Sequence, residues 1–591
     1  MNKKLIALLL VLVMVMTVGL TACGNKDAVK PAEEPKETET TETAEAEETP
    51  AEGEEIAGVT DAGDTLVWNI GQEPKTWDPV QNTMQSGSVV AVQLFEGLTY
   101  PAVDGMQPGV AESWEIAEDN VTWTFHLRED AKWSDGEPVT AHDFVYSWIR
   151  MGDPAEASGN LAKFTDFIKG SQEFFDGKIE ASEVGVRAID DKTLEVELKN
   201  PTPFFADVVS TFSWFPTRED IVAKGDGWEK KAETAVSNGP FKLGEYVVGS
   251  HITFVKNEEY WGADDVNIEE FRGVFIVDPN TAMQAAQAGD IDVNDQIPTE
   301  EIQRLMAEEP YLHVQPWAGV WYIVFNNDKE PFNDINVRKA FALAIDRKAI
   351  VENVTKAGEI AATGFINAVA RDTEGNPYRK LEADGYPAEQ YGIDPRAAKV
   401  EEAQGLLADA GYPNGEGFPA IELLYNTSDA NKKVMEAIQQ MLKENLNIDT
   451  TLANMESNVY FDYLAEGNFN VGRAGWIGTS FNVNSSYQMM TSLHGSNHAQ
   501  WRWQQYAPAT WDTVLNPDQK EFDDLYNASM SATGAERDRL VMEAEAAIME
   551  EMPATPIYYY AKAYYINEDH VENLGVSPEF DFIFKEATST K

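Results

Sequence analysis

One cysteine, Cys23, stands in a chain of 591 residues. A single thiol closes no intrachain disulfide and supports no cysteine-based zinc site. Whatever this chain folds into is therefore held together by buried apolar surface and polar networks. The apolar material is ample: 43% of residues are hydrophobic and 11% aromatic, with 15 Trp, which excludes a chain disordered throughout. One core does not suffice at this length, because hydrophobic cores stop growing at about 250–300 residues, so two or three lobes are expected. Acidic residues number 100 against 45 basic ones, for a formal charge of −55. Such a surface repels phosphate backbones and anionic headgroups, so nucleic acid is excluded as a partner.

The position of the cysteine is informative. Lys3 and Lys4 precede a mostly apolar run from Leu5 to Leu20, and Thr21-Ala22-Cys23-Gly24 follows. A charged segment, an apolar segment and a small-residue cleavage site in that order read as a signal peptide over residues 1–22. The run falls short of the ~20 residues that a membrane-spanning helix needs. Leu20-Thr21-Ala22-Cys23 also resembles the bacterial lipobox, which implies that Cys23 is diacylated and becomes the mature N-terminus. Acyl chains gain about 0.8 kcal/mol per buried CH₂, so two or more on one residue anchor a protein stably. The expectation is an exported protein held on the outer face of the cell membrane. Residues 24–64 carry fourteen acidic residues and three lysines with almost nothing large and apolar. Residues 23–64 therefore read as a disordered, self-repelling tether. Setting aside that segment and the two leader lysines leaves −46 of the −55 on residues 65–591, so the folded body is acidic in its own right.

Within that body, short strand patterns alternate with amphipathic helices. Val121, Trp123, Phe125 and Leu127 alternate with polar residues, as do Leu194, Val196 and Leu198. Thr140 and Asp143 form a capping-box start for a helix carrying Phe144, Val145 and Trp148. Val337, Ala340, Phe341, Ala344 and Ile345 keep helical spacing, and Asp394-Pro395 is expected to begin a helix that ends at Gly411. The mixture indicates α/β with mixed sheets.

Catalytic signals are weak. No HExxH, GxSxG or P-loop pattern occurs. Gly415-Glu416-Gly417-Phe418-Pro419-Ala420 fits a dinucleotide fingerprint formally, but Pro419 stands where its helix would run, and the segment reads as a turn. Asp290, Asp292, Asn294 and Glu301 imitate a calcium loop, yet Asp295 occupies the position that requires glycine. Trp501-Arg502-Trp503 and Tyr558-Tyr559-Tyr560 either stack on a ligand or pack in a core. Paired carboxylates of a secreted glycan hydrolase remain an alternative that spacing alone does not decide. No metal or cofactor is expected.

Several motifs, in order, resemble one family. They are Glu73-Pro74 with Asp78-Pro79, Leu94-Phe95-Glu96-Gly97-Leu98, Trp123 to Arg128 with Lys132-Trp133-Ser134-Asp135-Gly136, and Thr140 to Trp148. Asn238-Gly239-Pro240-Phe241-Lys242-Leu243, Asn257 to Trp261, Pro331 to Asp334, Val337 to Ala340 and Leu424 to Asp429 follow. Together they resemble the oligopeptide-binding proteins of ABC importers, in the large three-domain class of solute-binding proteins. That resemblance implies a bilobal periplasmic-binding-protein-like fold with an extra inserted domain and a hinge. Lobe I would comprise 65–95, 217–276 and 553–591, inserted lobe II 96–216, and lobe III 277–552. It further implies a monomer, no enzymatic activity, peptide as solute, and an ABC permease and ATPase complex as partner. Other solutes compatible with the fold are a blocked peptide, an opine, a glycan fragment or a metal chelate.

Carried over by position, the resemblance places the ligand against Arg473, Gly475, Trp476, Ile477, Gly478 and Thr479, with Thr83 and Gln85 at its other edge. Gly475 and Ile477 would pair their main chain with the ligand. Arg473 would meet a ligand carboxylate or form an ion pair within the acidic body. The family places Asp where this chain has Thr479, for pairing with the peptide's α-amino group, and Trp where it has Ser457. Thr479 supplies no charge, so either another carboxylate compensates or the ligand's end is blocked or uncharged.

Overall fold

Alternating burial along Thr122–Leu127 follows the residue pattern directly: Trp123, Phe125 and Leu127 are buried and the residues between them half-buried. The computed structural model describes residues 63–102, 105–327, 329–477, 517–577 and 582–591, all within the compact unit Glu55–Lys591. Thr122–Leu127 lies in a four-stranded antiparallel sheet ordered Ala111–Ile116, Thr122–Leu127, Thr193–Glu197, Val186–Asp190. The helix Ala141–Gly152 packs against this sheet and starts with the expected capping box between Thr140 and Asp143. Trp148 on its buried face meets Trp214 edge-on at 4.8 Å.

The larger sheet has eleven strands. Its path runs Thr450–Met455, Ile421–Asn426, Val471–Ile477, Leu312–Phe325, Ala554–Ile566, Val293–Asn294, Leu66–Asn69, Glu270–Val274, His251–Lys256, Phe241–Val247, with Ile360–Ala361 paired to Ala554–Ile566. Parallel and antiparallel neighbours are mixed. Two large apolar cores flank the two ends of this sheet. One gathers residues from Leu66 to Val293 with the C-terminal Phe582 and Phe584; the other gathers residues from Val320 to Tyr559.

The chain passes between these halves on two strands, Leu312–Phe325 and Ala554–Ile566. Their antiparallel register runs Leu312 to Pro316 against Tyr565 to Ala561, breaks, and resumes at Val320 opposite Tyr559. Exposure changes with it: Leu312 to Trp317 are half-buried, and Ala318 to Phe325 are buried.

The motifs that carry the resemblance turn out to be knots in this architecture. Glu96, 4% exposed, accepts hydrogen bonds from Tyr260 at 2.5 Å and Trp261 at 2.6 Å. Its backbone is bracketed by the Asn238 carboxamide at 3.2 and 2.8 Å. A Cβ on Gly239 would fall 2.8 Å from the carbonyl carbon of Leu94, so only glycine fits there. The Arg128 guanidinium lies 3.7 Å over the Trp261 ring. In the other half, Arg347 is fully buried without a carboxylate at its guanidinium. It donates to the carbonyls of Ala342, Ile345 and Pro556 and to the Thr555 hydroxyl at 2.8–3.2 Å, which offsets much of the cost of burying its charge.

One local reading changes. The helix expected from Asp394-Pro395 begins at Val400, because Asp394 spends its carboxylate on a turn to the Arg396 N–H and Arg396 is drawn to Glu382 and Asp384. In the run that only imitates a calcium loop, the buried Asp292 carboxylate accepts from the Val67 N–H at 2.8 Å, His570 at 2.7 Å and Lys591 at 2.9 Å. Among the described residues no group of three candidate ligands could hold a metal.

The ion pair between Arg379 and Glu545, with side chains 2% and 0% exposed, pins the segment around Ile366 to the helix Gly534–Glu551. Glu545 also accepts from the Ile366 N–H at 2.7 Å and the Tyr391 hydroxyl at 2.8 Å. Removing one partner strands a buried charge, so Glu545→Ala is expected to cost about 3–5 kcal/mol, read as a lower urea midpoint. Glu536→Ala on the same helix, which loses only an exposed pair with Arg539, leaves the midpoint near that of the parent protein.

Candidate functional site

The strand Val471–Ile477 is filled on one side and open on the other. Along one edge it pairs residue by residue with Gly319 to Phe325. Along the other it meets Ile421–Asn426 only at Leu423↔Val471 and Leu424↔Gly472. From Arg473 to Ile477 that second edge has no ladder partner among the described residues. The Tyr460 hydroxyl lies 2.5 Å from the Arg473 carbonyl and 3.2 Å from the Leu424 carbonyl, which puts the Arg473 carbonyl on the open edge. Strand alternation then turns the main-chain groups of Gly475 and Ile477 the same way. Trp476 faces the opposite edge: a Cβ on Gly319 would lie 2.7 Å from its carbonyl oxygen. An extended chain can add to such an edge through main-chain hydrogen bonds alone.

Arg473 is half-buried beside this edge. Its Nη1 donates to Asn426 Oδ1 at 2.9 Å and its Nη2 to the Tyr560 hydroxyl at 2.8 Å. The guanidinium carbon stands 5.5 Å from the Trp321 ring centroid, and Nε has no hydrogen-bond partner among the described residues. No described carboxylate comes within 4.0 Å. Of the two roles open to Arg473, an ion pair inside the acidic body is thus not the one formed by the described residues; neutral acceptors hold it. Burial, opposed by the charge of Arg473, raises the pKa of Tyr460 and Tyr560, so their hydroxyls stay protonated.

Trp476 is half-buried against the core, and Ile477 is 46% exposed. Gly478, Thr479 and Cys23 lie outside the described residues. Thr83 and Gln85 are exposed and belong to the other half of the molecule; no hydrogen bond among the described residues links them to the Arg473 strand. Their loop is rigidly presented. Asn160 Nδ2 donates to the carbonyls of Val80 and Asn82 at 3.1 and 2.8 Å, Ser158 donates to Val80 at 2.5 Å, and the buried Arg150 pairs with Asp78 at 3.0 Å. Gln81 is turned to Glu156 at 2.9 Å. Tyr560, Asn426 and Tyr460 were not singled out as site residues. Tyr560 stood in the tyrosine run and Asn426 in a family motif, but no linear signal places either beside Arg473.

Residues 105–498 match the model of the bacterial extracellular solute-binding proteins, family 5 middle region. This chain belongs to that family. The oligopeptide-binding protein OppA of Bacillus subtilis (strain 168) is 35% identical over 513 residues, covering 85% of this chain and 89% of the relative. Among solved structures, the murein tripeptide-binding protein MppA in its unliganded open form superposes with a TM-score of 0.77 at 31% identity, over 89% of this chain and 97% of that one. Haemophilus influenzae OppA in complex with the peptide RPPGFSPFR superposes with a TM-score of 0.61 at 33% identity, over 89% and 99%. The fold is the bilobal solute-binding fold. Family members are binding proteins, which removes the hydrolase reading.

The loop bearing Thr83 depends on Gly87, where a Cβ would stand 2.3 Å from the Thr76 carbonyl oxygen and 2.2 Å from Asn82 Oδ1. The backbone oxygen cannot move cheaply. Gly87→Ala is expected to destabilise by about 1–3 kcal/mol and to speed amide exchange across residues 78–84, measured by hydrogen–deuterium exchange.

Proposed function

We propose that this chain captures extended peptides outside the cytoplasmic membrane and delivers them to the permease and ATPase of an ABC importer. The observation that carries the reading is the strand edge at Gly475 and Ile477, which has no ladder partner among the described residues, flanked by a guanidinium that only neutral groups among those residues hold. Main-chain pairing along Gly475 and Ile477 supplies affinity without reading side chains. Arg473 receives a ligand carboxylate, a charge-assisted contact about twice as strong as a neutral one. The loop carrying Thr83 and Gln85 closes over the ligand's other edge. Better superposition on an open unliganded relative than on a peptide complex supports lobes held apart here, with closure on ligand as the state the permease reads.

Thr479 in place of the family's Asp points to a solute whose amino end is blocked or uncharged. A thermal-shift titration with a peptide pool and its N-acetylated counterpart tests both points, because ligand raises stability by RT ln(1 + [L]/Kd). The acetylated pool is expected to stabilise at least as strongly as the free-amine pool. A clear preference for free amines would show that another carboxylate compensates, and no shift with either would overturn the peptide reading.

The monomeric protein is held at the membrane by acylation of Cys23, with residues 24–64 as the tether. Cys23→Ser is expected to abolish the lipid in mass spectrometry of the whole protein and to release the protein from membranes into the medium or periplasm. Full membrane retention of the variant with its lipid intact contradicts the anchor.

A further inference from the structure

We propose that Tyr560 is a positioning residue that couples the hinge to the direction of the Arg473 guanidinium. The inference rests on reading Arg473 to Ile477 as the ligand edge. Between the paired positions Pro316↔Ala561 and Val320↔Tyr559, one crossing strand contributes Trp317, Ala318 and Gly319, and the other contributes Tyr560 alone. The register shifts a second time between Trp321 and Tyr322, inside the buried part of the strand, whereas the first shift lies where half-buried residues give way to buried ones, so a rotation between the two halves of the sheet is absorbed at the first. Tyr560 is the residue of the second crossing strand that sits inside this first break.

Its side chain is anchored on both sides of that break. Toward the ligand edge, its hydroxyl accepts from Arg473 Nη2 at 2.8 Å. Toward the other half, its ring meets Trp317 at 6.3 Å and 62°. The Lys562 ammonium stands 5.7 Å from the Trp317 ring centroid and pairs with Asp295 at 2.7 Å, the two side chains 17% and 16% exposed. Two glycines clear the space around Tyr560: a Cβ at Gly319 would lie 2.8 Å from its ring, and one at Gly475 2.4 Å from its hydroxyl. Arg473 is thus held by one arm to Asn426, which shares its half of the sheet, and by the other to a residue braced against the opposite half. Hinge rotation moves the second holder relative to the first, and the guanidinium turns with it.

The test uses Tyr560→Phe, which keeps the ring, and Lys562→Met, which touches neither Arg473 nor the open edge. Small-angle scattering of the ligand-free protein reads the hinge. Each variant is expected to shift the radius of gyration, and unchanged values in both overturn the proposal whatever peptides do. A random pentapeptide pool with free C-terminal carboxylates and the same pool amidated then report on Arg473. Discrimination in favour of the carboxylate pool is expected to fall about tenfold in Tyr560→Phe and several-fold in Lys562→Met, with the double variant no worse than Tyr560→Phe alone. Additive losses overturn the coupling, because they describe two independent packing defects. Arg473→Met separates the two readings. If it abolishes discrimination while Tyr560→Phe does not, the positioning role is wrong; if it leaves discrimination unchanged, the ligand-edge assignment fails and takes the role of Tyr560 toward solute with it.

Discussion

Everything in this molecule is arranged around two strands that cross from one half of the large sheet to the other. Leu312–Phe325 and Ala554–Ile566 keep an antiparallel ladder interrupted by a break between Pro316 and Val320 and by a second register shift between Trp321 and Tyr322. Paired peptide groups on a fixed spacing stiffen the ladder on either side of the break. The break leaves a place where bending costs little. With a large core on each side and two covalent crossings between them, that break is where the proposed rotation of the halves is placed. The edge at Gly475 and Ile477, without a ladder partner among the described residues, is built on the buried side of the break, so its geometry is set by the same crossing strands.

Charge adds a second constraint. A body with −46 on residues 65–591 surrounds Arg473 with potential partners, yet the nearest groups are an amide oxygen, a phenol and an indole face. Buried guanidinium groups elsewhere show the contrast. Arg150 and Arg379 are tied to carboxylates, and Arg347 is wrapped by backbone carbonyls. An arginine held by neutral acceptors among the described residues keeps its capacity for a carboxylate from outside, which the proposed peptide-binding role uses.

Legibility varied with the range of the interaction that decided each feature. The capping box at Thr140 and Asp143, the alternation of Trp123 and Phe125, and the helix through Val337 and Phe341 depend on neighbours three or four residues away, so they appear in the residue pattern. The helix start near Asp394 was misplaced because Arg396 is pulled toward Glu382 and Asp384, residues that no local rule brings into account. Family motifs were recognisable as strings, but their physical content was not: Glu96 meets Tyr260 and Asn238 only after the chain has gone around the first core. The site showed the same division. Arg473 to Ile477 stood out through resemblance, whereas Tyr560 joined them through an 87-residue separation that only the sheet closes.

Residue order alone established an acidic α/β chain without intrachain disulfides, since charge, a lone cysteine and short-period hydrophobic spacing act along the chain. Which strand edge lacks a ladder partner and which arginine lacks a counter-charge among the described residues, and where the register of the large sheet breaks, emerged only from the folded chain. Those properties belong to no segment. They arise from register between strands hundreds of residues apart, and register is settled by the packing of both cores at once.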